Sequence, residues 1–241
     1  MKTKRLLIAG RNRLQQRVTN SRRTLSQAFG GLVLSLFAAV SQAHPHMWID
    51  AELDLQFDAQ GQLVAVAQEW TFDEMFSSYA KQGLSETADR VPPQAELDKI
   101  AADWMSALAD PMSHYFTTLT QAGKTLPVSE PRAIKATWDR ESERLSLRFE
   151  LPLLTPTDAK QSPVTVSVAD PTYFVAYDFA APEAVTAKTA PTTCETTYKR
   201  PERLDDAVAA RLAAIPPSGV LPPDLLRATQ TLQHRVELSC Q

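Results

Sequence analysis

The sequence is poor in residues that usually build enzyme active sites. It has two cysteines and four histidines in 241 residues. It contains no Ser/His/Asp or Cys/His arrangement, no zinc-protease spacing and no glycine-rich phosphate loop. Its methionines are scattered, so no methionine-rich copper site is indicated, and it contains no internal repeat or low-complexity segment. We therefore expect a protein that is not an enzyme.

Acidic residues are missing from the first 43 positions, which carry eight basic ones. The apolar run at residues 28–40 would span only about 20 Å as a helix, short of the roughly 30 Å hydrocarbon core of a bilayer. With the small-residue site Ser41-Gln42-Ala43, this pattern predicts a cleaved signal peptide at residues 1–43, exported by the Sec route or, given Arg22-Arg23, the twin-arginine route. An uncleaved anchor is the alternative.

Without residues 1–43, the protein would have a strongly negative net charge. The remaining residues 44–241 hold 17 basic and 28 acidic side chains, a formal charge of −11. This charge argues against nucleic acid as a partner and suits the attraction of cations. We expect a periplasmic protein with no stable transmembrane segment after cleavage. In that oxidising compartment, Cys194 and Cys240 predict a disulfide, with a thiolate metal site as the alternative.

Cleavage after Ala43 would place His44 at the new N-terminus. Its α-amine and imidazole Nδ1 form a two-donor chelate, and His46 lies within reach as a third nitrogen. Pro45 has no amide proton to lose, which rules out the chelate that uses deprotonated backbone amides. This donor set suits Ni, Co, Zn or Cu as a divalent cofactor. The alternative is that both histidines are ordinary polar residues of the first strand.

Alternation of apolar and polar residues predicts a half-buried strand from Met47 onward. It places His44, His46, Asp50 and Glu52 on one face. We therefore include Asp50 and Glu52 as candidate metal residues, either completing the site or orienting the imidazoles, although a solvated strand face explains them equally well.

The remaining pattern predicts hairpins with a few helices. Predicted strands cover residues 62–72, 114–120, 126–128, 132–139, 144–151, 164–168, 173–179 and 235–239, with another through Cys194. Predicted helices begin near Asp73 and cover residues 97–108 and 205–214, and a proline-containing loop covers residues 216–223. We expect an α+β fold of mostly antiparallel β-hairpins, forming a sheet or sandwich with packed helices. Residues 44–241 would form one domain, with a division into two subdomains near residues 155–165 as the alternative.

Four segments carry a family resemblance: residues 44–50, 70–76, 115–117 and 170–177. Their order and spacing resemble a family of uncharacterised bacterial exported proteins, often described as the periplasmic component of an uncharacterised ABC-type transport system. The resemblance implies metal homeostasis beside nickel/cobalt-type transporters. Residues 82–94 lack the calcium-loop-like insert of many such proteins, and His114 stands where they tend to have aspartate.

Three functions follow as hypotheses. The first is a periplasmic metal-binding accessory protein for a nickel/cobalt-type or zinc-type transport system, with a membrane metal transporter as partner. The second is the solute-binding component of an ABC transporter, although such receptors are usually built from two α/β lobes. The third is a copper redox enzyme with an N-terminal histidine chelate, which would need another histidine from His114 or His234.

Overall fold

The computed structural model of the protein describes residues 45–180, 182–216 and 219–241. All of these lie in one unit, residues 43–241. The predicted signal peptide and His44 lie outside the described residues. Within them, no helix is long and apolar enough to cross a membrane.

The described residues form eleven strands and four helices, arranged around two mostly antiparallel sheets. The α+β prediction is therefore confirmed. The strands are β1 (Met47–Phe57), β2 (Leu63–Phe72), β3 (Thr117–Gln121), β4 (Lys124–Leu126), β5 (Arg132–Asp139), β6 (Arg144–Thr157), β7 (Val164–Val168), β8 (Val175–Asp178), β9 (Val185–Thr186), β10 (Cys194–Lys199) and β11 (His234–Cys240). The helices are α1 (Glu74–Lys81), α2 (Gln94–Leu108), α3 (Asp206–Ala213) and α4 (Pro223–Thr229).

The first hairpin, β1 and β2, follows the predicted alternation. Ile49, Leu53 and Leu55 are buried, whereas Asp50 and Glu52 are exposed. Two backbone amides of the turn donate to the Asp58 carboxylate, at 2.8 and 2.9 Å. The turn brings two strands with matching apolar faces together, so that sequence pattern and turn chemistry specify the same register.

The first sheet has the order β5-β6-β2-β1-β8, with β9 also beside β1, and the second has the order β10-β11-β7-β3-β4. Buried residues of both sheets belong to one hydrophobic cluster. Trp70 lies within it, with ring centroids 4.8 Å from Phe149, 5.5 Å from Tyr177 and 6.3 Å from Phe116. Each sheet takes strands from both sides of residues 155–165.

The helices begin where the local chemistry favours a cap. The Asp73 side chain accepts from the Phe76 amide at the start of α1, and Asp205 caps α3 in the same way. In α2, Leu97, Ala101 and Met105 are buried, as the helical spacing predicts. The prediction of a loop through Pro223 is wrong, because this residue begins α4, where a missing amide proton costs no hydrogen bond.

The strands on either side of Asp170-Pro171 enter different sheets. β7 pairs with β3 and β11, whereas β8 joins the first sheet and runs parallel to β1, with Met47 opposite Val175 and Ile49 opposite Tyr177. The loop between β7 and β8 therefore connects the two sheets beside the start of β1.

The predicted disulfide between Cys194 and Cys240 is present. The two residues are directly opposite each other on β10 and β11. The bond therefore ties the edge strand of the second sheet to the C-terminal strand.

Candidate functional site

The start of β1 is held against the end of the β7–β8 loop. The backbone amides of His46 and Met47 both donate to the carbonyl of Phe174, at 2.8 and 3.2 Å. The imidazole of His46 packs on the Phe174 ring, with centroids 4.8 Å apart. His46 is therefore half-buried in a defined position two residues after the predicted N-terminal histidine.

The aspartate at the start of α1 fixes the same region from the other side. The Asp73 carboxylate accepts from the Trp48 amide and from the Phe76 amide, each at 2.8 Å. Its own amide donates to the Trp48 carbonyl at 2.9 Å. The interpretation of Asp73 as a helix N-terminal residue is thus confirmed, and the residue also connects α1 to β1.

Asp50 lies on the exposed face of β1 and forms an ion pair with Arg144 at 2.6 Å. The same guanidinium donates to the carbonyls of Thr71 and Phe72, at 3.0 and 2.6 Å. At about 3.3 Å per residue, Asp50 lies roughly 13 Å along the strand from His46. The structure therefore places His46 just before β1 and Asp50 within it, and does not bring them together as ligands of one ion.

Glu52 lies next on that face, opposite Glu69 of β2, which in turn lies opposite Arg148 of β6. These three side chains line a shallow cavity of about 110 Å³ that also includes Asp54, Glu183 and Lys188. Across residues 45–180, 182–216 and 219–241, no three His, Cys, Asp or Glu side chains are grouped so as to hold a metal ion. The described residues supply one histidine, His46, to the predicted chelate, whose other donors belong to His44.

The β7–β8 loop is built around a buried carboxylate. Asp170 is 5 % exposed. Its Oδ1 accepts from the amide and hydroxyl of Thr172, both at 2.8 Å, and its Oδ2 accepts from the Val175 amide at 3.0 Å. Asp170 therefore closes the turn that follows β7, where its carbonyl also accepts from the Tyr173 amide at 3.0 Å. Sequence reasoning did not identify its burial, because burial depends on the tertiary packing around the loop.

His234, one of the two histidines considered for a copper site, lies in the interior. Its Nδ1 is 2.7 Å from the Tyr198 hydroxyl, and its ring centroid is 5.1 Å from that of Phe179. Burial lowers the pKa of His234 from 6.5 to about 4, although Asp178 and a hydrogen bond to the Tyr177 backbone partly oppose this shift. The imidazole is therefore uncharged at neutral pH and acts as a packed, hydrogen-bonded core residue.

His114 lies in a different environment, on a short turn before β3. The backbone φ angles of His114, Tyr115 and Phe116 are 45°, 54° and 50°. Non-glycine residues seldom adopt this left-handed conformation, which costs roughly 1–2 kcal/mol per residue. The turn is retained because Tyr115 is buried and the His114 Nδ1 bonds with the Thr117 carbonyl at 3.0 Å.

Comparison with known proteins identifies a relative of unassigned role. An uncharacterised protein of Haemophilus influenzae is 28 % identical over 155 residues, which cover 64 % of this chain and 72 % of that protein. A family model described as a protein of unknown function (DUF1007) matches residues 30–240. Because this match spans most of the sequence, including all the elements described above, the chain belongs to the DUF1007 family.

Proposed function

We propose that this chain is an exported, non-catalytic protein that binds a divalent transition metal, Ni, Co, Zn or Cu, through its N-terminal histidines. We further propose that it serves a nickel/cobalt-type or zinc-type transport or homeostasis system in the periplasm, with a membrane metal transporter as partner. The resemblance to exported proteins described as parts of transport systems supports this second element.

The main support for the proposal is the position of His46. His46 is fixed at the start of β1 by the Phe174 carbonyl and the Phe174 ring. A rigidly placed imidazole lowers the entropic cost of forming a chelate with flexible donors that precede it. Glu52 lies exposed further along β1, where its negative charge favours the approach of a cation, whereas the charge of the exposed Asp50 is compensated by Arg144.

The described fold supports this function over the two alternatives. A copper redox enzyme would need a further histidine, but His234 is buried and hydrogen-bonded to Tyr198, and the Nδ1 of His114 bonds with the Thr117 carbonyl on a separate turn. A solute receptor built from two parallel α/β lobes does not resemble two mainly antiparallel sheets around one core. No contact among the described residues specifically favours either alternative.

The test is native mass spectrometry and calorimetric titration of protein purified from the periplasm. We expect a mature N-terminus at His44 and about one equivalent of bound metal. His44→Ala combined with His46→Ala should abolish stoichiometric binding, whereas His114→Ala, a matched histidine on a separate turn, should retain it. Addition of one alanine before His44 should weaken binding at least tenfold, because the α-amine leaves the chelate ring.

Unchanged affinity in the double variant would overturn the proposed site. Growth that depends on a limiting metal tests the transport role separately. If the double variant grows as well as wild type under that limitation, the protein does not deliver the metal.

A further inference from the structure

A second candidate site lies behind the β7–β8 loop, on the inner side of the start of β8. A cavity of about 120 Å³ is lined by polar side chains of the β7–β8 loop, β8 and β11, namely Asp170, Tyr173, Tyr177 and His234, together with apolar Val175 and Leu232. None of these residues belongs to the N-terminal chelate. The cavity is therefore independent of the proposed metal site.

The hydroxyl of Tyr177 is the first observation that indicates a ligand. Tyr177 is 8 % exposed, and its hydroxyl oxygen is buried with no hydrogen-bond partner among the described residues. Leaving a buried hydroxyl unpaired costs about 1–3 kcal/mol, so such groups usually have a partner. Burial, and secondarily the negative charge of Asp170, raises the pKa of Tyr177 well above 10, so the hydroxyl is protonated at neutral pH.

The carboxylate of Asp170 is the second observation. Its three hydrogen bonds come from Thr172 and Val175, and its Oδ2 accepts only one of them. Among the described residues, no lysine, arginine or histidine forms an ion pair with Asp170; the Arg200 side chain pairs with Asp178 at 3.7 Å. A buried carboxylate without a counter-cation is costly, so a cation in this cavity would be stabilised.

The histidine beside the cavity does not supply that cation. One ring nitrogen of His234 bonds with the Tyr198 hydroxyl and the ring also bonds with the Tyr177 backbone. The imidazole is uncharged in the folded protein, as described above. The cavity therefore combines one anionic acceptor, one unpaired hydroxyl and two phenol rings.

We propose that this cavity binds a small primary ammonium cation, with Asp170 Oδ2 and Tyr177 Oη as its hydrogen-bond acceptors. An ammonium head group donates up to three hydrogen bonds, and cations are attracted to aromatic rings, two of which, Tyr173 and Tyr177, line this cavity. A cavity of about 120 Å³ admits a short alkylamine but no large organic cation.

The probe is methylammonium chloride, titrated into the whole mature protein and followed by calorimetry and by ligand-observed NMR. Tetramethylammonium chloride at equal ionic strength is the ligand control, because it carries charge but no N–H donor. We expect saturable binding of methylammonium that tetramethylammonium does not displace. The double histidine variant of the metal site should bind methylammonium with the same affinity as wild type. The test of this cavity therefore does not depend on the outcome of the test of the metal site.

Tyr177→Phe is the deciding variant, since it removes one oxygen and keeps the ring. We expect its methylammonium affinity to fall at least tenfold, while Tyr79→Phe, on an exposed tyrosine of α1, leaves it unchanged. Asp170→Asn should abolish binding if the loop still folds. Equal affinity of wild type and Tyr177→Phe would overturn the proposal, as would no saturable binding in wild type, in which case the cavity holds water.

Discussion

At the scale of single residues, His234 gives the clearest pH dependence. Its pKa is about 4 in the folded protein and 6.5 in its ordinary state. Below pH 6.5 the unfolded chain binds a proton at this position that the folded chain does not bind until about pH 4. The contribution of His234 to the free energy of unfolding is therefore fully present above pH 6.5. It is lost as the pH falls from 6.5 to about 4, by up to about 1.4 kcal/mol per pH unit.

This dependence can be isolated with His234→Gln, which has no titrating group at that position. Urea denaturation from pH 7.5 to pH 4.5 should show a steeper loss of unfolding free energy in wild type than in the variant. Carboxylates titrate in both proteins, so the difference between the two slopes reports on His234. Identical slopes would show that the imidazole gains no proton on unfolding.

The candidate metal residues show how far sequence reasoning reaches at this scale. The alternation from Met47 onward placed Asp50 and Glu52 correctly on the exposed face of β1. It could not reveal that Arg144, on a strand far along the chain, binds the Asp50 carboxylate. A residue's face follows from local periodicity, whereas its partner follows from tertiary pairing.

At the scale of secondary structure elements, Asp73 connects a helix and a strand through one carboxylate. Asp73→Ala removes the acceptor for the Phe76 amide and the Trp48 amide together. We expect a loss of about 1–2 kcal/mol in the free energy of unfolding, the upper range for a helix N-cap, because β1 loses a contact as well.

Tryptophan fluorescence in urea measures this loss. Glu74→Ala, at the neighbouring exposed position of the first helical turn, is the matched control and should change stability by less than about 0.5 kcal/mol. If Asp73→Ala also stays within that range, the two hydrogen bonds contribute no net stability.

The elements themselves were largely predictable. The strand expected at residues 62–72 is observed as Leu63–Phe72, and the helix expected at residues 97–108 is observed as Gln94–Leu108. Local periodicity and turn chemistry specify such elements. The parallel pairing of β1 with β8 was not predictable, because nothing in the short Val175–Asp178 segment indicates which of several strands it joins.

At the scale of the whole molecule, the disulfide constrains the second sheet. Cys194 and Cys240 are separated by 46 positions in the sequence. Closing a loop of that size reduces the entropy of the unfolded chain and stabilises the fold by about 4 kcal/mol in the chain-entropy model. We expect Cys194→Ser combined with Cys240→Ser to lower the free energy of unfolding by roughly that amount.

Guanidinium denaturation of the oxidised wild type, the reduced wild type and the double variant provides the measurement. The last two should agree with each other and unfold at lower denaturant than the first. A double variant as stable as the oxidised protein would mean that native-state strain offsets the entropic gain.

Because β1 lies between β2 and β8, both of these strands must be present before the contacts of β1 are complete. Its hairpin partner follows directly in the chain, but the parallel partner β8 (Val175–Asp178) and Phe174, whose carbonyl accepts from the His46 amide, lie more than 100 residues further along. Contacts between such distant segments form slowly, because a long loop must close first. During synthesis, the first strand is therefore made long before the strand that it pairs with in parallel, and His46 reaches its final position only after the chain has been synthesised beyond Phe174.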